Sequence, residues 1–82
     1  MKRYASHYVL FPGQGFLKQH VVEIESATQV RVFPLTAEIE DTEWLPGILH
    51  VEHTTSWEVF HIPCFDFKAM KPVDGTLRRR LL

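Results

Sequence analysis

The chain has a single cysteine among its 82 residues, Cys64, so no disulfide can form within it. It also has no excess of positive charge, because nine Lys and Arg stand against ten Asp and Glu, for a formal net charge of −1. A general nucleic-acid binder needs a basic stripe that releases phosphate counterions, so we expect no nucleic-acid partner. No apolar run approaches the ~18 residues of a membrane helix, and the first residues show no signal-peptide core. These absences favour a cytoplasmic protein with no membrane partner.

What is present indicates one small globular domain spanning residues 1–82. The composition is 45% hydrophobic and 23% charged, which differs from the low hydrophobicity or high net charge of disordered chains. A chain this short buries only about 60% of the surface that it exposes when unfolded. Association through a sheet edge or an apolar face would enlarge that small core, so we expect a homo-oligomer or a protein partner.

Between the prolines and glycines, the apolar residues mostly alternate with period two, which predicts strands. The predicted strands are residues 4–11, 16–25, 29–35, 48–53, 57–62, 64–67 and 76–82. Turns are expected at residues 12–15 and 74–75, and residues 36–42 are the only segment that favours a helical turn, with Thr36 as its cap. The pattern therefore predicts an all-β fold. We expect a small β-sandwich or partly open barrel of about six or seven short strands, with at most one short helical turn.

Residues with possible chemistry are few and poorly spaced. His50 and Glu52 share one face of a predicted strand, and a distant His61 or Cys64 would have to complete a metal site with them. Structural zinc usually takes four ligands at clustered spacings, and catalytic zinc takes three and a water molecule. Cys64 has no base at a recognisable spacing that would activate it. We therefore predict no catalytic, cofactor-binding or metal residue, no cofactor, and a protein that is not an enzyme.

The aromatic residues are numerous for so small a core. Two interpretations stay open: they fill the core, or some of them form an apolar patch that contacts a partner. On the second interpretation, the possible interface residues are Trp57, Phe60 and Phe65.

The order of these signals resembles the small β-domain of the amidohydrolase superfamily, a composite sandwich built from both ends of chains that enclose a metal-dependent barrel. Val-rich segments at residues 21–24 and 30–32 precede a short linker, and residues 45–49, Leu-Pro-Gly-Ile-Leu, match the family's passage into the barrel. The resemblance covers roughly residues 4–52. It implies that residues 55–82 supply the strands that the family takes from its far carboxyl end.

The family pattern then continues as Asp-x-His-x-His, whose two histidines bind the catalytic metal. This chain has His50, Glu52 and Thr54 at those places, and residues 48–82 are too few for a barrel. The resemblance therefore implies a stand-alone domain without the enzyme. The predicted function is a non-catalytic structural or protein-interaction domain. The alternative is a small metal-binding or hydrolytic protein that uses His50, Glu52 and His61.

Overall fold

The computed structural model describes residues 1–36 and 41–82, and these residues form eleven strands and no helix. The all-β prediction is therefore confirmed for the described residues, whereas most of the predicted helical turn at residues 36–42 lies outside them. The strands are β1 (Lys2–Ala5), β2 (Tyr8–Phe11), β3 (Gly15–Lys18), β4 (His20–Ser26), β5 (Gln29–Pro34), β6 (Thr42–Trp44), β7 (Ile48–His53), β8 (Trp57–Ile62), β9 (Phe65–Asp66), β10 (Lys71–Pro72) and β11 (Arg79–Arg80).

Two mixed sheets form the sandwich, and neither is closed into a barrel. The first sheet has the order β5-β4-β1-β6 and the second has the order β11-β8-β7-β2-β3. Most neighbours are antiparallel, but β1 pairs with β6 and β2 pairs with β7 in parallel. Strands β9 and β10 form a separate short hairpin.

One long bent hairpin joins the two sheets. Strands β1 and β2 are one arm, β3 and β4 are the other, and Pro12-Gly13 turns the chain between them; the Gln14 N–H donates to the Phe11 carbonyl over 3.1 Å. Glycine at φ +78° supplies the positive φ that a type II turn requires at its third position, and proline is common at the second. The arms stay in one register, since Ala5 pairs with Val21 and Tyr8 pairs with Lys18.

Both arms of the hairpin bend at neighbouring positions and pass from the first sheet to the second. This bend makes the number of strands larger than we predicted. One arm bends at Ser6 and His7, and the other bends at Gln19, whose φ is +55°. The predicted strands at residues 4–11 and 16–25 are therefore each divided between two sheets. Together with the short strands β6 and β10, this division raises the count from the six or seven that we predicted to eleven.

A second pair of strands makes the same passage beside the hairpin. Leu45, Pro46 and Gly47 connect β6 to β7, and we call these residues, together with Ser6 and His61, the crossover junction. The buried Ser6 hydroxyl lies 2.8 Å from the Leu45 carbonyl oxygen and 2.7 Å from that of Gly47, and its single proton is shared between them. The Leu45 N–H donates to the Ala5 carbonyl over 2.8 Å. These bonds satisfy backbone groups that leave the sheets and would otherwise be buried unpaired.

The main core lies between the sheets, and a smaller core lies outside the second sheet. The main core contains Tyr4, Val9, Val22, Ile24, Val30, Leu45, Leu49, Val51 and Val59. The smaller core contains Ile48, Ile62 and Phe65, with Tyr8 packed against them. Because β9 supplies Phe65, the short hairpin covers part of the outer face of the second sheet.

The outer face of the first sheet carries an ionic cluster. Glu23 on β4 is buried and lies between Arg3 and Arg31, which occupy the paired positions on β1 and β5. The Arg3 Nε is 2.8 Å from one carboxylate oxygen, and the Arg31 Nε is 2.9 Å from the other. Hydrogen bonds from Arg3 and from Arg31 lower the pKa of Glu23 below its ordinary value of 4.5. The carboxylate is thus held in its charged form.

Candidate interaction surface

A continuous chain of ring contacts runs across the surface where the short hairpin meets the second sheet. We call this surface the aromatic patch; it consists of His7, Tyr8, Phe16, Trp44, Phe65 and Phe67. Ring centroids lie 5.1 Å apart for His7 and Trp44, 5.4 Å for His7 and Phe67, and 5.5 Å for Tyr8 and Phe67. Phe16 continues the chain at 6.1 Å from Tyr8 and 5.8 Å from Phe65. These distances are those of favourable edge-on and tilted aromatic pairs.

The rim of the patch is exposed to solvent, while its base is buried. Trp44 is 48% exposed, Phe67 is 40% exposed and Phe16 is 36% exposed. Phe65, by contrast, is buried in the smaller core. The patch therefore combines a rigid base with three large apolar side chains at its rim, a combination found at the centres of protein interfaces.

The turn between β9 and β10 fixes the position of Phe67. One carboxylate oxygen of Asp66 accepts hydrogen bonds from the backbone N–H groups of Lys68 and Ala69, over 2.9 and 3.1 Å. An aspartate that bonds to the backbone two and three residues later is a local turn-forming arrangement. Phe67 is thus held between the turn and the ring of Tyr8.

The patch also adjoins a sheet edge. Strand β3, which carries Phe16, is the last strand of the second sheet, and within residues 1–36 and 41–82 it pairs on one side only, with β2. An edge strand has backbone groups that can pair with another chain. The aromatic rim and this edge form one continuous surface.

The three predicted interface residues occupy different places in the fold. Phe65 forms the base of the aromatic patch and is 9% exposed. Phe60 is 8% exposed, and the Arg78 guanidinium covers its ring at 4.1 Å. Trp57 is half-buried and stacks on His53 with the ring centroids 4.2 Å apart. Within one chain, two of the three side chains are therefore largely covered; a role for them in partner contact stays a prediction.

The three residues of the metal-site alternative are not brought together. His50 Nε2 and a Glu52 carboxylate oxygen are 3.4 Å apart, and both side chains line a groove of about 520 Å³. His61 pairs with Leu49 across β7 and β8, so it lies on the opposite face of the sheet from His50. Its Nε2 donates to the Pro46 carbonyl over 2.6 Å. Among residues 1–36 and 41–82, no group of three His, Cys, Asp or Glu side chains is placed to hold a metal ion.

Comparisons with known proteins give no match: neither a family model, nor a curated protein, nor a solved structure is significantly similar to this chain. The resemblance to the amidohydrolase β-domain therefore stays a prediction that nothing here tests.

In the described part of the chain, no helix has the length and apolar character needed to cross a membrane.

Proposed function

We propose that this chain is a non-catalytic protein-interaction domain that associates with a second copy of itself through the aromatic patch. The observation that carries the proposal is the exposed aromatic rim: Trp44, Phe67 and Phe16 gather on one surface of a chain with a very small core. Large exposed apolar groups that lie together mark sites of protein contact more often than scattered ones do.

A second copy is the favoured occupant because the surface includes a free strand edge. Two β3 strands can pair antiparallel about a two-fold axis, which joins the same surface on both copies. Such a pairing would bring the Phe16 side chains of the two copies close together. The net charge of −1 opposes this contact only weakly. A cytoplasmic location, which we expected from the single cysteine and the apolar pattern, is part of the same proposal.

The test is the oligomeric state of the untagged protein, measured by sedimentation velocity over a range of concentrations. We expect a reversible dimer that Trp44→Ser and Phe67→Ser each weaken by roughly a thousandfold, since an interface aromatic contributes about 2 kcal/mol and the two-fold axis removes it from both copies. Leu77→Ser is the matched control, because Leu77 is apolar and 86% exposed but lies outside the patch. It should leave the dimer unchanged.

Phe16→Lys tests the strand edge and the aromatic rim together. It removes an aromatic rim residue and places a charge on the edge, a device by which proteins block edge pairing. We expect this variant to be monomeric. A wild-type protein that stays monomeric at several hundred micromolar, or a dimer that is equally weakened by Leu77→Ser, would refute self-association through the patch.

A further inference from the structure

A second surface of the sandwich carries an unusual distribution of charge. A groove of about 380 Å³ lies between the edge of the first sheet and the edge of the second, and it contains no residue of the aromatic patch. Its walls are formed by Lys2 and Tyr4 from β1, Glu43 from β6, and Arg79, Arg80 and Leu81 from the β11 segment. Three cationic side chains thus share one groove with one carboxylate, in a chain whose net charge is −1.

The register places two of these cations in rows that face the space between the two sheets. Lys2 pairs with Ile24, which pairs with Val30, so Lys2 extends an inward-facing row of the first sheet. Arg79 pairs with His61, which pairs with Leu49 on the inner face of the second sheet. Alternation along the strands predicts apolar residues at both positions. Both long side chains instead belong to the walls of the groove.

These two cations have no charged partner among the described residues, whereas the neighbouring arginines do. Arg78 lies 3.9 Å from a Glu52 carboxylate oxygen, and Arg80 lies 3.2 Å from one of Glu58. Neither Lys2 nor Arg79 forms an ion pair within residues 1–36 and 41–82. Glu43, on the same face as its parallel partner Tyr4, is the carboxylate on the groove wall, and it makes no ion pair with either cation.

We infer that this groove binds a small ligand with at least two negative charges, carried by phosphate or carboxylate groups. Arginine donates paired hydrogen bonds to either group, and the lysine ammonium adds a point charge. The competing explanation is that inward-pointing charges only keep the sheet edges from pairing with other chains.

Amide chemical shifts of the full chain, titrated with inorganic pyrophosphate and separately with citrate at constant ionic strength, test the inference. We expect saturable shifts centred on Lys2, Tyr4, Glu43 and Arg79. Stronger binding of pyrophosphate identifies phosphate as the preferred group, and stronger binding of citrate identifies carboxylate. Shifts that grow without saturation for both probes would overturn the inference.

Three variants separate binding from edge protection. Arg79→Gln should lower the affinity for whichever probe binds more tightly by about tenfold, which is the effect of losing one hydrogen bond from a charged group. Glu43→Gln should raise the affinity for the same probe several-fold, because the substitution removes the repulsive carboxylate while leaving the groove intact. Lys18→Gln is the matched control, since Lys18 is an exposed cation on β3 and is not part of the groove. Equal affinities for the wild-type, Arg79→Gln and Glu43→Gln chains would leave edge protection as the explanation.

Discussion

Replacing Gly47 with alanine is expected to be the most destabilising single-methyl substitution in this chain. Gly47 lies at the crossover junction with φ +86°, a conformation that costs an L-residue about 1–2 kcal/mol. A Cβ at this position would lie 2.0 Å from the Ile62 carbonyl oxygen and 2.7 Å from that of Pro63. Both obstacles are backbone atoms, so a change of side-chain rotamer cannot relieve the clash.

The expected loss follows from these two effects. Forcing extra atoms into a packed site typically costs about 1–3 kcal/mol, so Gly47→Ala should lower the free energy of unfolding by about 2–5 kcal/mol in total. A domain of this size is stable by roughly 4–12 kcal/mol, at about 0.05–0.15 kcal/mol per residue. The substitution therefore removes a large part of the stability and can prevent folding.

Gly75→Ala is the matched control. Gly75 has nearly the same backbone conformation, with φ +84°, but no atom lies within 4 Å of a Cβ built on it. Alanine at position 75 should therefore cost only the free energy of placing an L-residue in the left-handed backbone conformation, about 1–2 kcal/mol. Urea unfolding followed by tryptophan fluorescence measures both variants. If the two free energies of unfolding differ by less than about 0.5 kcal/mol, the close approach of Gly47 to the Ile62 backbone does not limit stability. The inference that this contact excludes a side chain at Gly47 would then be wrong.

Two further predictions concern buried polar groups. Ser6→Ala should cost about 1–3 kcal/mol in the same urea assay, because it leaves buried carbonyls without their donor; Ser26→Ala, at an exposed hydroxyl, should cost much less. The lowered pKa of Glu23 stabilises the fold fully above the ordinary value of 4.5, and the contribution is lost as the pH falls through the folded-state pKa. Thermal melts between pH 7 and pH 2 should therefore show that the melting temperature falls more steeply with acid for the wild-type chain than for Glu23→Gln. Melting temperatures that fall in parallel with pH for the two chains would contradict this assignment.

Part of the fold could be predicted from local patterns alone. The predicted strands at residues 48–53 and 57–62 coincide with β7 and β8, and the one at residues 29–35 differs from β5 by a single residue. Each of these strands is bounded by turn or loop residues and is rich in β-branched and aromatic residues. The turn at Asp74 and Gly75 is also observed, closed by a hydrogen bond from the Thr76 N–H to the Val73 carbonyl.

The division of the two long predicted strands had no comparable signal. The pairing register between the two arms of the hairpin is the same on both sides of the bend at Ser6, His7 and Gln19. Neither bend contains a glycine or a proline. Gln19 has a positive φ although the sequence marks it with no small or turn-forming residue. Which sheet each half joins depends on tertiary packing, which alternation does not report.

The aromatic patch could be predicted only as a class of residue. Aromatic surplus indicated a patch, but the named residues were Trp57, Phe60 and Phe65, whereas the exposed rim consists of Phe16, Trp44 and Phe67. The alternation along β8 places Phe60 and Ile62 on the outer face of the second sheet. It could not show that the chain's own later segments cover it, with Arg78 over Phe60 and Phe65 against Ile62.

The Leu-Pro-Gly segment shows why the family resemblance cannot carry the functional argument. Leu45 is buried in the main core, the Pro46 carbonyl accepts the hydrogen bond from His61, and Gly47 passes the backbone of Ile62 too closely for a side chain. Each residue of the segment therefore has a packing reason within this sandwich. A chain that passes between sheets in this way needs a residue without a Cβ at the position of Gly47, whether or not it is related to an enzyme. The evidence for function thus lies in features that packing leaves unexplained: an aromatic rim in solvent, and two cations that form no ion pair within residues 1–36 and 41–82.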